Sequence, residues 1–253
     1  MNDANAAPPA SGASDRANEP PISKIVATLA LLYVIAVLVI DTLAVRGVDV
    51  PIRWSIFHTN FEVTVFESLF GSSLAPEWSH FDAYKFLAWF AVPLLFSLYR
   101  LDLGNFGVRR WKKTDIAVLG VLVVFGIGAV SLIPFFPSLD KIYGGLGDRP
   151  SDIRWAYARG NLLWMISWLI GWEFMLRYFL MRKVVNGFGK YAWLIIPALE
   201  FAYHLQKPFL EALLAGGGGV LLTYWALQRK NVLLPFLAHL SIEMALLVFM
   251  LVT

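Results

Sequence analysis

Apolar stretches almost free of charge alternate along this chain with short segments in which lysine and arginine gather. A hydrocarbon core about 30 Å thick takes roughly 20 residues of helix at about 1.5 Å per residue. Seven stretches follow that pattern: Lys24–Val45, Tyr84–Leu98, Ile116–Phe135, Trp155–Met181, Tyr191–Leu205, Phe209–Leu227 and Val232–Val252. The predicted fold is all-α, a polytopic transmembrane helical bundle of about seven spans, or eight if residues 54–74 also cross. That segment, Trp54 to Leu74, is apolar but interrupted by His58, Asn60, Glu62 and Glu67. Such a pattern suits an interfacial or re-entrant amphipathic helix better than a span.

Charge sets the orientation. Arg100, Arg109, Arg110, Lys112 and Lys113 lie between the second and third stretches, and Arg182, Lys183, Lys190, Arg229 and Lys230 fall on the same side if seven spans alternate. Lysine and arginine accumulate in cytoplasmic loops, so the expectation is an integral protein of the inner or plasma membrane, with a cytoplasmic N-terminus and an external C-terminus. Residues 1–22 are rich in Ala, Pro, Ser and Asn and read as a disordered tail. They lack the basic start and adjoining apolar core of a signal peptide, so the first apolar stretch is expected to remain as an anchor. Three regions follow: the tail 1–22, N-terminal membrane helices with an interfacial loop region over 23–150, and a helical core over 151–253.

Composition narrows the chemistry. With 58% hydrophobic and 15% charged residues, the chain is more apolar than a soluble domain needs. The net charge is +3 with no basic run interleaved with aromatics, so nucleic acid is excluded as a partner and the bilayer is the expected surroundings. The absence of cysteine excludes disulfides, zinc-thiolate sites and a thiol nucleophile. Any reaction must use oxygen and nitrogen groups. Four consecutive glycines, Gly216 to Gly219, favour close helix packing over a hinge.

An ionisable group inside hydrocarbon costs several kcal/mol unless paired or hydrated, which makes each one a functional candidate. Here they come in pairs spaced i, i+4, one helical turn apart: Glu173 with Arg177, Glu200 with His204, and His239 with Glu243. Counted from the basic residue at each span end, Glu173 lies roughly 13 Å deep, Glu200 about 15 Å, His204 about 21 Å, His239 about 13 Å and Glu243 about 19 Å. Three spans therefore bring carboxylates and imidazoles to similar depth. A carboxylate beside an imidazole can hold and deprotonate water, and a second imidazole can donate to a developing oxyanion, which together suit amide hydrolysis. No cofactor is needed for this. Zinc is the less favoured alternative, because the HExxH spacing of zinc proteases is absent. A transporter using the same pairs as a proton relay is a rival from another class.

At these residues the sequence resembles the CAAX prenyl endopeptidase and bacteriocin-processing family, also called CPBP or ABI, over about residues 150–253. That family carries EExxxR, FxxxH and HxxxN or HxxxD motifs on successive helices. Trp172 to Arg177 looks like the first, Glu200 to His204 occupies the second, and His239 to Glu243 the third. Trp172 stands in place of the first glutamate, Glu200 in place of phenylalanine, and Glu243 in place of the amide or aspartate. The resemblance implies that residues 151–253 are a CAAX protease-like catalytic core hydrolysing a peptide bond of a membrane-tethered substrate, prenylated or helical. It implies that His204 activates water, His239 donates to the oxyanion, and Glu173 with Arg177 is a supporting pair. With the first glutamate absent, Glu173 or Glu200 must supply the base; Glu173 is favoured because it remains in the first motif. Trp172 also supports a catalytically silent relative that binds or regulates membrane peptides.

Overall fold

The computed structural model describes residues 23–50, 81–98 and 111–253, and its secondary structure over these residues is helical apart from an isolated bridge at Asn231. The expected tail, the segment 54–74 and most of the basic loop between the second and third stretches lie outside the described residues. Each of the seven apolar stretches contains a helix. We label them α1 (Lys24–Val45), α2 (Ala83–Ser97), α3 (Lys113–Ser131), the short α4 (Pro137–Tyr143), α5 (151–188), α6 (Ile195–His204), α7 (Phe209–Arg229) and α8 (Leu233–Val252). Four of these, α1, α3, α7 and α8, are long and apolar enough on their own to cross a membrane.

Local chemistry fixes several helix starts. Ser23 Oγ accepts from the Val26 N–H at 3.3 Å, and Asp82 Oδ1 from the Lys85 N–H at 3.0 Å, so side-chain oxygens satisfy free donors of the first turns. The long α5 is regular from Ser151 to Phe174, continues as a π-helical turn over Met175–Leu180, and resumes over Met181–Phe188. It ends at Gly189, whose φ of +101° suits a residue without Cβ. Every residue from 171 to 180 is buried, so α5 is the axis of the bundle. Around it pack Val34, Val37 and Leu38 of α1, Tyr84 and Trp89 of α2, Ile196 of α6 and Ala226 of α7.

Two ends of the bundle are distinguished by their contacts. At one, Ala27 lies against Gly187, and Asp115 accepts from Arg229 Nε at 2.8 Å and from Nη2 at 2.6 Å, which joins the start of α3 to the end of α7. This end carries Lys112, Lys113, Lys190 and Lys230. At the other, the Leu146 N–H donates to the Met250 carbonyl at 2.7 Å and Arg154 Nη1 to the Leu251 carbonyl at 3.0 Å, which joins the start of α5 to the end of α8.

Candidate active site

The fully buried part of α5 contains two charges, Glu173 and Arg177, each 1% exposed. One turn apart, they meet as the spacing predicts: Arg177 Nη1 donates to Glu173 Oε1 at 2.8 Å. The second prong of the guanidinium, Nη2, donates to Glu200 Oε1 of α6 at 2.6 Å. One arginine therefore bridges two carboxylates on two helices, a task its planar fork can perform and a lysine ammonium performs poorly. Trp172 adds a third donor, its indole N–H reaching Glu200 Oε1 at 3.1 Å. The residue that replaces the motif glutamate thus supports the carboxylate that the next helix brings. Glu200 is not the partnerless carboxylate that its own helix suggests.

Glycine makes room for this network. A Cβ at Gly219 would collide with the Glu200 carboxylate, and one at Gly216 would lie 3.0 Å from Phe201 Cβ, whereas Gly217 and Gly218 have nothing within 4 Å. Two of the four glycines are thus what lets α6 lie against α7.

The histidines connect this sealed network to open space. His239 Nδ1 lies 2.8 Å from Glu173 Oε1, and its Nε2 lies 3.6 Å from Glu243 Oε1 one turn along α8. His204 Nδ1 lies 2.8 Å from the backbone carbonyl of Glu200. A carbonyl can only accept, so Nδ1 carries a proton, and in the neutral ring Nε2 is left with its lone pair. The i, i+4 spacing of Glu200 and His204 is real, but the atom it engages is the carbonyl oxygen and not the carboxylate.

His204, His239 and Glu243 share a cavity of about 400 Å³. One wall is a helical stripe of α5, Tyr157, Asn161, Trp164, Trp168 and Trp172, at spacings of three and four residues. From Tyr157 to Trp172 this stripe covers about 22 Å of helix axis. Its inner residues Trp168 and Trp172 are buried, and at its outer end stand Tyr143 and the exposed Lys207. The Trp168 ring contacts His239 edge-on at 5.6 Å and the Trp172 ring contacts His204 at 5.9 Å. Glu173, Arg177 and Glu200 do not line the cavity; they lie behind its wall, with second oxygens Glu173 Oε2 and Glu200 Oε2 unpartnered among the described residues.

The mouth is tied by a second cluster. Lys207 Nζ pairs with Glu211 Oε1 at 2.7 Å and donates to Tyr143 Oη at 3.0 Å, and Tyr143 donates in turn to Glu211 at 2.9 Å. Burial pushes the Tyr143 hydroxyl well above its usual pKa. Partial desolvation at the mouth would lower the Lys207 ammonium, but Tyr143 and Glu211 beside it outweigh that and hold it above its usual value. Lys207 therefore keeps its charge, and Tyr143 its proton, through the neutral range.

Sequence reasoning passes over the tryptophan stripe, Tyr143, and a charged group formed by Asp41, Lys85 and Tyr203. The stripe was legible as a helical period of aromatics along one face. Asp41 and Lys85 were legible as charges inside apolar stretches.

Comparison with known proteins agrees with this geometry in one respect. Residues 154–245 match the family described as Rce1-like, Type II CAAX prenyl endopeptidase Rce1-like. No curated protein and no solved structure matches the chain. The matched stretch holds Glu173, Arg177, Glu200, His204, His239 and Glu243, so over residues 154–245 this chain is similar to the Type II CAAX prenyl endopeptidase family.

Proposed function

We propose that this protein is an intramembrane endopeptidase that hydrolyses a peptide bond of a membrane-tethered chain inside the aromatic-walled cavity. The observation that carries the reading is the tautomer of His204. With Nδ1 donating to the Glu200 carbonyl, Nε2 is an acceptor beside a cavity that Glu243 and His239 also line. A water there has a carboxylate, Glu243, and an imidazole, His204, to take its proton, and His204 can pass that proton to the departing amine. His239, held at Nδ1 by Glu173, presents its other nitrogen on the cavity side and stabilises the oxyanion as the carbonyl becomes tetrahedral. Arg177 holds Glu173 and Glu200 in place behind the wall.

This assigns the base differently from the sequence. Glu173 is 1% exposed and committed to Arg177 and His239, so it acts on the reaction through His239. Glu243 has the exposure that contact with water requires, 22% for its side chain.

The test is cleavage of a fluorophore-labelled farnesyl-cysteinyl peptide by the purified protein in lipid nanodiscs, with products identified by mass. His204→Ala and Glu243→Gln are each expected to slow cleavage about a hundredfold or more, and Glu173→Gln to cost less. A large loss from Glu173→Gln with full activity in Glu243→Gln would restore Glu173 as the base. A second reading, a silent relative that binds peptides, is favoured by Trp172 in the motif position; it predicts binding of the same peptide with no cleavage.

A further inference from the structure

Lys85 sits in the first turn of α2, is 7% exposed, and lines the same cavity as His204 and His239. Its ammonium lies 5.0 Å from the Trp89 ring centroid and 5.5 Å from that of Trp164, so aromatic faces flank the charge. Its one ion pair among the described residues is with Asp41 Oδ2 at 3.5 Å, well beyond the 2.7–2.9 Å typical of a charge-assisted bond. That oxygen already accepts the Tyr203 hydroxyl at 2.7 Å. An ammonium has three donors, and burying one without hydrogen-bond partners is costly. The indole N–H of Trp89, one turn on, likewise has no hydrogen-bond partner among the described residues. A desolvated cation with donors unpartnered among the described residues, on the wall of an aromatic cavity, is a site for an anion carried on an apolar body.

We infer that Lys85 binds the free C-terminal carboxylate of the peptide that enters this cavity. The assignment rests on the peptidase reading and adds a specificity determinant to it. The geometry joins the two places: Trp89 packs on Trp172 at 5.4 Å, and Trp172 on His204 at 5.9 Å. One chain of rings thus runs from the anchored terminus to the imidazole. A carboxylate seated on Lys85 leaves an upstream peptide bond near His204. Lys207 is a poorer anchor, because Glu211 and Tyr143 already engage its ammonium at hydrogen-bonding distance.

Two probes test this: the labelled farnesyl-cysteinyl peptide ending in a free carboxylate, and the same peptide ending in an amide. In the unaltered protein the acid is expected to bind at least tenfold more tightly, with the difference appearing in KM and in equilibrium anisotropy. Lys85→Met is expected to erase that preference by weakening the acid alone, and Lys85→Arg to keep most of it. The double variant Asp41→Asn with Lys85→Met removes both charges of the pair together, so loss of preference there cannot be attributed to misfolding from lost charge balance. Equal affinity for acid and amide in the unaltered protein, or preference surviving in Lys85→Met, overturns the assignment and leaves the peptidase reading standing. Failure of the unaltered protein to bind or cut either probe removes the peptide-substrate reading, and the Lys85 site falls with it.

Discussion

Arg177→Met is the most informative perturbation of the buried network. The guanidinium is 1% exposed and holds Glu173 at 2.8 Å and Glu200 at 2.6 Å. Removing one partner of a buried ion pair typically costs about 3–5 kcal/mol, because the other charge is left uncompensated. Here two carboxylates lose the same partner, while Trp172 still donates to Glu200 and His239 still faces Glu173. We therefore expect a loss of at least about 3 kcal/mol, which for a chain of this size lowers the midpoint of thermal unfolding by roughly 6–12 °C. Tryptophan fluorescence on heating in detergent is the suitable assay, since thiol-reactive dyes have no target in a chain without cysteine. Arg177→Lys should recover part of the loss, because a point charge can satisfy one carboxylate better than two. Adding Glu173→Gln and Glu200→Gln to Arg177→Met should recover stability by removing the orphaned charges. A midpoint for Arg177→Met within about 2 °C of the unaltered protein, or a further fall on adding the two glutamines, would refute the reasoning.

Gly219→Ala forces a methyl group into the Glu200 carboxylate and should cost about 1–3 kcal/mol, the usual range for overpacking, whereas Gly217→Ala meets nothing within 4 Å and should be neutral or stabilising by up to about 1 kcal/mol in the same melting assay. Incubation with EDTA should leave peptide cleavage unchanged; loss of cleavage restored by added zinc would count against water activation by Glu243 and His204 alone. A reporter fused after Thr253 should be active outside the cytoplasm, because α8 starts at the end that carries Lys112, Lys113, Lys190 and Lys230 and finishes at the other.

The helices were legible because apolar runs bounded by charge are a strong signal, and the pairs Glu173–Arg177 and Lys207–Glu211 were legible because a helix places i and i+4 on one face. What spacing could not reveal is how one helix rotates against another. The Arg177–Glu200 bond joins residues 23 apart on different helices, and it gives Glu200 a partner that its own helix does not reveal. The π-helical turn at Met175–Leu180 has no signal in hydropathy, yet it lies at Arg177 and alters the local winding of that face. Trp172 reads in sequence as a lost glutamate, and only the position of Glu200 explains what the indole does there. Lys85 and Asp41 could have been flagged by cost alone, since both fall within apolar stretches. They were passed over because they are 44 residues apart and match no motif.

The distribution of charges among the helices bears on how the protein assembles in the bilayer. Glu173 and Arg177 lie on one helix, so the buried part of α5 can enter hydrocarbon with these two charges already neutralising each other. The Glu200 carboxylate of α6 gains its ionic partner only by meeting α5. Until then α6, ten residues long, carries an uncompensated acid that favours the interface over the membrane interior. The expected consequence is an order of assembly in which α6 docks only once the second prong of Arg177 is available to Glu200, the residue whose backbone carbonyl meets His204.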